Sequence, residues 1–312
     1  MKRAAHQPVP HHPGVKPPRL LLAIGVLVFL WALIASGPWA FAQEVPITAS
    51  NDIAKVEPAP APDFNSGDTA WMLTASALVL LMTVPGLALF YGGMVRKKNV
   101  VSAIYYSFGA AVIVSVLWVV IQYSLSFGGK DMGIGALGGF QKMFFLGVGT
   151  NSVYPSAPTI PESIFSMFQL TFAIITVALI SGAVVERMKF DAWAIFVGLW
   201  SLIVYAPLAH WLWNPEGWLA KLGALDFAGG LVVHTSSGVA ALVAVKFIGA
   251  REGYMKEHIL PHNVAFTFIG ACLLWVGWFG FNAGSATTAG ALSSNAWLVT
   301  NTAAATASLV WM

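Results

Sequence analysis

The run "DTAWMLTASALVLLMTVPGLALFYGGMVRKKN", Asp68–Asn99, decides the fold class. From Ala70 to Val95 it carries no charged side chain, and then Arg96, Lys97 and Lys98 follow without a break. A bilayer core asks for about 20 consecutive apolar residues in a helix, and this run exceeds that length. Pro85 and Gly86 inside it suit a membrane helix better than a soluble one.

The whole chain repeats this character. Its 312 residues are 57% hydrophobic and 9% charged, with 13 Trp and 20 Phe. Soluble domains carry about a quarter charged residues, so a water-soluble globule is excluded. One cysteine, Cys272, rules out an intrachain disulfide. The formal charge of +3 is set by Lys2, Arg3, Lys16 and Arg19, which precede the first acid, Glu44. Nucleic-acid binding therefore has no compositional support.

Further spans are predicted near Val100–Phe127, Ile164–Val185, Ala192–Leu212, Phe227–Phe247 and Asn263–Ala283. A seventh begins near Ala296 and runs to Met312. The fold class is all-α and polytopic, with six complete transmembrane helices and part of a seventh. Basic residues crowd the odd connections: Arg96, Lys97, Lys98, then Arg187, Lys189, then Lys246, Arg251, Lys256. The even connections carry Lys130, Lys142 and Lys221. The positive-inside rule puts the odd connections in the cytoplasm and the mature N-terminus outside. An exported N-terminus agrees. Residues 1–42 read as a secretory signal peptide: a basic lead, an apolar stretch, and "AFA" before Gln43. A retained first helix is the alternative. Residues 43–66, with "EPAPAPD" at 57–63, read as a Pro/Ala-rich periplasmic linker, and 67–312 as the transmembrane domain.

Two polar residues interrupt "GALDFAGGLVVH", Gly223–His234. Asp226 stands just ahead of the fifth span, where a carboxylate caps free N–H groups; a cap and local staple is its first reading. His234 lies eight residues on, about 12 Å down an α-helix and near mid-depth. Its neighbours Gly230, Ser237, Gly238 and Ala241 leave a nearly bare face. An ionisable residue at mid-bilayer is a functional-site hypothesis by default. Buried, its imidazole is expected to stay neutral and to suit a small uncharged hydrogen-bonding molecule. Phe168 and Phe172 share one helical face (i, i+4), as do Trp278, Phe281 and Ser285 (i, i+3, i+7). By spacing alone such stripes are as consistent with packing as with a site. Asn282 and Ser285 at a span end suggest a wet mouth.

Four blocks, Asp68–Asn99, "FQLTFAIITVALISGAVVERMKF" (Phe168–Phe190), Gly223–His234 and "GWFGFNAGSA" (Gly277–Ala286), closely resemble the ammonium transporter family, Amt/Mep/Rh, on its bacterial side. The resemblance covers residues 66–312. It implies an eleven-helix subunit built from two inverted five-helix halves, assembled as homotrimers in the bacterial inner membrane, with one pore per subunit. It further implies that Trp213 holds ammonium by cation–π attraction in an outer vestibule, with Ser285 as hydroxyl partner and Phe168 and Phe172 in its wall. Phe172 and Phe281 then close the pore, Trp278 packs beside them, and His234 is the first of two pore histidines. Asp226 takes a structural and electrostatic role. The implied substrate is ammonium, crossing a dry constriction as ammonia. No cofactor, metal or catalytic residue is implied, and a cytoplasmic nitrogen-status regulatory protein is the implied partner besides lipid.

The chain departs from the family in two places. "WNPEGWLAKLGALD" lacks the family's glycines after Trp213, and the second pore histidine is not among residues 263–312. A chain ending within its seventh span is expected not to conduct by itself, so function is assigned to the intact type. An ammonium sensor of the same fold and a non-conducting subunit are the competing readings. No nucleophile–base set, metal cluster or phosphate loop suggests an enzyme.

Overall fold

The computed structural model describes residues 62–129 and 136–312. The expected signal peptide and its cleavage after Ala42, most of the linker, and Lys130 lie outside those residues. Six helices are long and apolar enough to cross a bilayer. They are α1 (Ser66–Met94), α2 (Lys97–Phe127), α3 (Glu162–Val184), α4 (residues 190–213), α5 (Gly230–Ile248) and α6 (Val264–Gly284). A seventh, α7, spans Ala291–Trp311. The chain is a multi-pass, helical membrane protein, and the predicted spans fall within a few residues of the observed ones.

Local chemistry explains the starts. The Asn65 side chain accepts from the Asp68 N–H at 3.0 Å, and Asn263 does the same for Phe266 at 3.2 Å. These are helix N-caps of the expected residue type. Helix α7 begins five residues ahead of the predicted Ala296. Ser293, Ser294 and Asn295 hide its start from a hydropathy reading, yet the Ser293 hydroxyl donates to the Ala283 carbonyl at 2.9 Å and ties the first turn to α6.

Helix α3 is the core, with buried Phe165, Phe168, Phe172, Ile174 and Ile180 along its length. Helices α1, α2 and α5 pack around it. Helix α6 approaches α1 through Gly270, Gly277 and Gly284, seven residues apart, and Gly280. A Cβ at Gly277 would sit 2.1 Å from the Met82 Cγ, and one at Gly270 would sit 2.4 Å from the Phe90 N. Only small residues permit such backbone approach in a membrane. The outward faces of α5 and α6 are bare: Leu231, Val239, Leu242, Phe247, Phe268 and Val276 are exposed.

One departure from an all-α reading sits in the second connection. There β1 (Val153–Tyr154) and β2 (Ala157–Pro161) form an antiparallel hairpin. It is pinned to the bundle by polar and aromatic contacts. The Tyr123 hydroxyl donates to Glu162 Oε1 at 2.7 Å, Lys142 pairs with the same oxygen, and Tyr154 stacks on Phe165 at 4.2 Å.

The helices alternate, so the connections gather on two sides. On one, Glu186 follows α3 with φ of 70° and a fully buried side chain. Its Oε1 accepts from the Arg96 N–H (2.9 Å), Arg96 Nε (3.1 Å) and Asn99 Nδ2 (2.7 Å), and its Oε2 from Arg251 Nη1 (3.2 Å). Burial opposes ionisation, but these donors prevail and hold the carboxyl below its ordinary range. The first, third and fifth connections are thereby locked together.

Candidate functional site

The opposite side holds a pocket of about 330 Å³. Phe168, Phe172, Trp213, Asp226 and Ser285, five of the residues singled out by sequence, line it together. They come from α3, the end of α4, the approach to α5, and the end of α6. Chain separation had given no hint of distance; the fold brings them within one cavity.

Each is held by identifiable contacts. Trp213 Nε1 donates to the Asp226 carbonyl at 2.8 Å, which fixes the indole. The Asp226 carboxylate accepts from the N–H groups of Gly229 (2.8 Å), Leu231 (3.1 Å) and Val232 (2.8 Å). The capping role expected of Asp226 is what the geometry shows, with its oxygens occupied by backbone. Gly229 needs its φ of 92° to turn the chain into the helix, a conformation that favours glycine. The Ser285 hydroxyl donates back to the Phe281 carbonyl at 2.8 Å, leaving its oxygen to accept from the pocket.

From the pocket an unbroken series of rings runs into the bundle. Trp213 meets Phe172 edge-on at 5.6 Å, and Phe168 meets Phe172 at 4.9 Å. Phe172 meets Phe281 at 4.4 Å, the planes 33° apart rather than parallel. Phe281 meets both Trp278 (5.6 Å) and His234 (5.7 Å), and His234 stacks on Trp278 at 5.8 Å and 15°. Phe168, Phe172 and Phe281 are almost wholly buried.

His234 itself corrects an expectation. The residues after Asp226 are not helical: α5 opens at Gly230, in a π-helical turn through Thr235, with the His234 N–H bonded to the Gly229 carbonyl at 3.0 Å. The imidazole therefore stands about 5 Å past the helix start, not about 12 Å. It is also exposed on the bare face of α5 rather than buried. The small neighbours Gly230 and Gly238 that mark that face cover nothing, and the imidazole packs only on Trp278 and Phe281.

The sequence reading missed Gln169. It lines the pocket, and its Oε1 is buried with no hydrogen-bond partner among the described residues. A polar side chain between Phe168 and Phe172 was the available signal. Ring faces with uncharged acceptors at Ser285 and Gln169 suit a small cation bearing N–H donors. Among the described residues no group of acidic, His and Cys side chains could hold a metal ion.

Residues 70–312 match the model of the Ammonium Transporter Family. The chain is 50% identical to an ammonium transporter of Bacillus subtilis over 79% of its own length and 59% of that protein's. It superposes on the crystal structure of Candida albicans Mep2 with a TM-score of 0.73 and 38% identity, covering 80% of this chain and 55% of Mep2. A structure described as a Sensor Amt Protein gives a TM-score of 0.70 at 29% identity, with 78% and 60% covered. The chain thus spans about three-fifths or less of each.

Proposed function

The chain belongs to the ammonium transporter family, and on that premise we propose that its pocket recruits ammonium for passage across the membrane. The observation that carries this reading is the continuity from pocket to histidine: Trp213, Phe172, Phe281 and His234 form one series of ring contacts. Ammonium would sit against the Trp213 face by cation–π attraction, worth about 0.5–2 kcal/mol, and donate to Ser285. Potassium has the same charge, so the vestibule alone discriminates poorly. The Phe172–Phe281 pair supplies the discrimination, because a metal ion crossing it must shed water without replacement. Ammonium can instead leave its proton and cross as ammonia, which His234 meets as a hydrogen-bonding partner beside Trp278.

The remaining parts of the reading follow from charge and family. The side holding Arg96, Arg187 and Arg251 faces the cytoplasm, the pocket opens to the periplasm, and the N-terminal segment is an export signal in a bacterial inner membrane. A homotrimer and a cytoplasmic nitrogen-status regulator are the partners. The protein is read as a transporter rather than an enzyme, assisted by no cofactor. The sensor reading has one point in its favour, the likeness to the Sensor Amt Protein.

Titration of the purified chain with ammonium chloride, followed by tryptophan fluorescence, tests recruitment. The expected result is a saturable change that is lost in Trp213→Leu and survives in Trp275→Leu. An identical response in Trp213→Leu would refute the assignment. In cells producing the protein, Phe172→Ala is expected to alter methylammonium uptake or its exclusion of potassium. Uptake and selectivity both unchanged would remove the gate.

A further inference from the structure

We propose that the cavity at the opposite, cationic side binds the phosphate group of an anionic ligand through Arg187, Lys246 and Arg251. The cavity measures about 870 Å³ and lies between the ends of α1, α3 and α5. Three cations line it, and no Asp or Glu does. Glu186, the carboxylate behind it, is already engaged by Arg96, Asn99 and Arg251. Glu252 and Glu257 belong to the same connection but do not line the cavity; Arg96 meets Glu252 only at its backbone carbonyl. Counting Arg96, Arg187, Lys246 and Arg251 against Glu186 leaves a net surplus of three positive charges.

Arg187 carries the argument furthest. Its Nη1 donates to the Gly249 carbonyl at 2.8 Å, which fixes the guanidinium across the cavity between the ends of α3 and α5. Its Nε is buried with no hydrogen-bond partner among the described residues. A buried donor left unpaired is costly and calls for a partner. Burial, and then the like charge of Arg251, also disfavour its protonated form, an effect that Glu186 offsets only in part. An anion in the cavity would relieve both. The guanidinium fork matches phosphate oxygens in geometry, and Lys246 adds a mobile point charge. A single carboxylate offers two oxygens and one charge, a poorer match to this surplus than phosphate. Basic pockets between helix ends take phosphate headgroups of lipids in general, so the phosphate has two sources, a lipid or a soluble ester. The cavity size suits either. None of this depends on ammonium.

The test measures the melting temperature of the whole chain in neutral detergent. Sodium phosphate is compared with sodium chloride at equal ionic strength, and nanodiscs of phosphatidylcholine are compared with nanodiscs containing phosphatidylglycerol. Stabilisation by phosphate identifies a soluble source, and stabilisation by phosphatidylglycerol alone a lipid source. In either case Arg187→Gln is expected to weaken the apparent affinity about tenfold or more, the loss of one charge-assisted contact. Lys246→Gln, at an exposed position, is expected to weaken it less and serves if Arg187→Gln fails to fold. Lys98→Gln, an exposed cation outside the cavity, is expected to leave it unchanged. No stabilisation by either probe overturns the proposal. So does a stabilisation that neither Arg187→Gln nor Lys246→Gln reduces, or a response to polyglutamate alone.

Discussion

Helices α3 and α5 have nearly the same mean hydropathy, 2.1 and 1.8, yet 78% of the most apolar stretch of α3 is buried inside the protein against 17% for α5. Hydropathy reports only that a segment prefers lipid or protein to water; it cannot choose between them. What separates the two is the neighbourhood. Helix α3 is surrounded by α1, α2 and α5 and fills its faces with Phe165, Phe168, Phe172 and Ile174. Helix α5 turns one face to α3 and leaves Leu231, Val239, Leu242 and Phe247 exposed. The two helices also divide the site: α3 supplies the buried rings of the pocket wall, and α5 supplies His234 on the open face.

Large-to-small changes are the hardest test of this contrast. Phe165→Ala removes a ring that packs on Phe127 and Tyr154, and should cost about 3–5 kcal/mol in reversible unfolding from detergent micelles. A loss below that of a surface change would mean that α3 is not the core. A smaller effect is expected where α3 and α5 are tied at their ends. Glu186→Gln keeps the shape but weakens charge-assisted bonds to Arg96 and Arg251, for about 1.5–3 kcal/mol. Because the folded carboxyl titrates below its ordinary range, its contribution is present above the ordinary pKa of 4.5 and is lost as pH falls through the lower folded value. Wild type should therefore lose its advantage over Glu186→Gln in acid, and parallel pH profiles would remove Glu186 from that role. The least effect is expected on the bare face. Leu242→Ala, 59% exposed, should stay within about 0.5 kcal/mol in the same unfolding assay. A loss matching that of Phe165→Ala would show this face to be covered in the isolated chain.

The extent of each span was legible because it depends on a sum over about 20 neighbouring residues. The two-sided arrangement of connections was legible for the same reason, since each span reverses the chain and the basic residues mark alternate ends. Motif blocks pointed to Phe168, Phe172, Trp213, Asp226 and Ser285, and one pocket does hold all five. Less was visible around α5. The spacing of Asp226 and His234 assumed a continuous α-helix, whereas Asp226 folds its carboxylate over the N–H groups of residues 229–232 and the helix opens only at Gly230. The node at Glu186 was invisible, because its partners Arg96 and Arg251 lie 90 and 65 residues away. Gln169 passed as one polar residue among apolar ones.

By itself, then, the amino-acid order determined a helical membrane protein, its spans and the residues worth watching, all consequences of local composition and of capping within one turn. Tertiary structure alone decided which of these faces are buried, which rings touch, and where charge is left unbalanced. Those properties depend on contacts between segments far apart in the chain. The imidazole of His234 and the orphan nitrogen of Arg187 acquire meaning only from what the fold sets beside them.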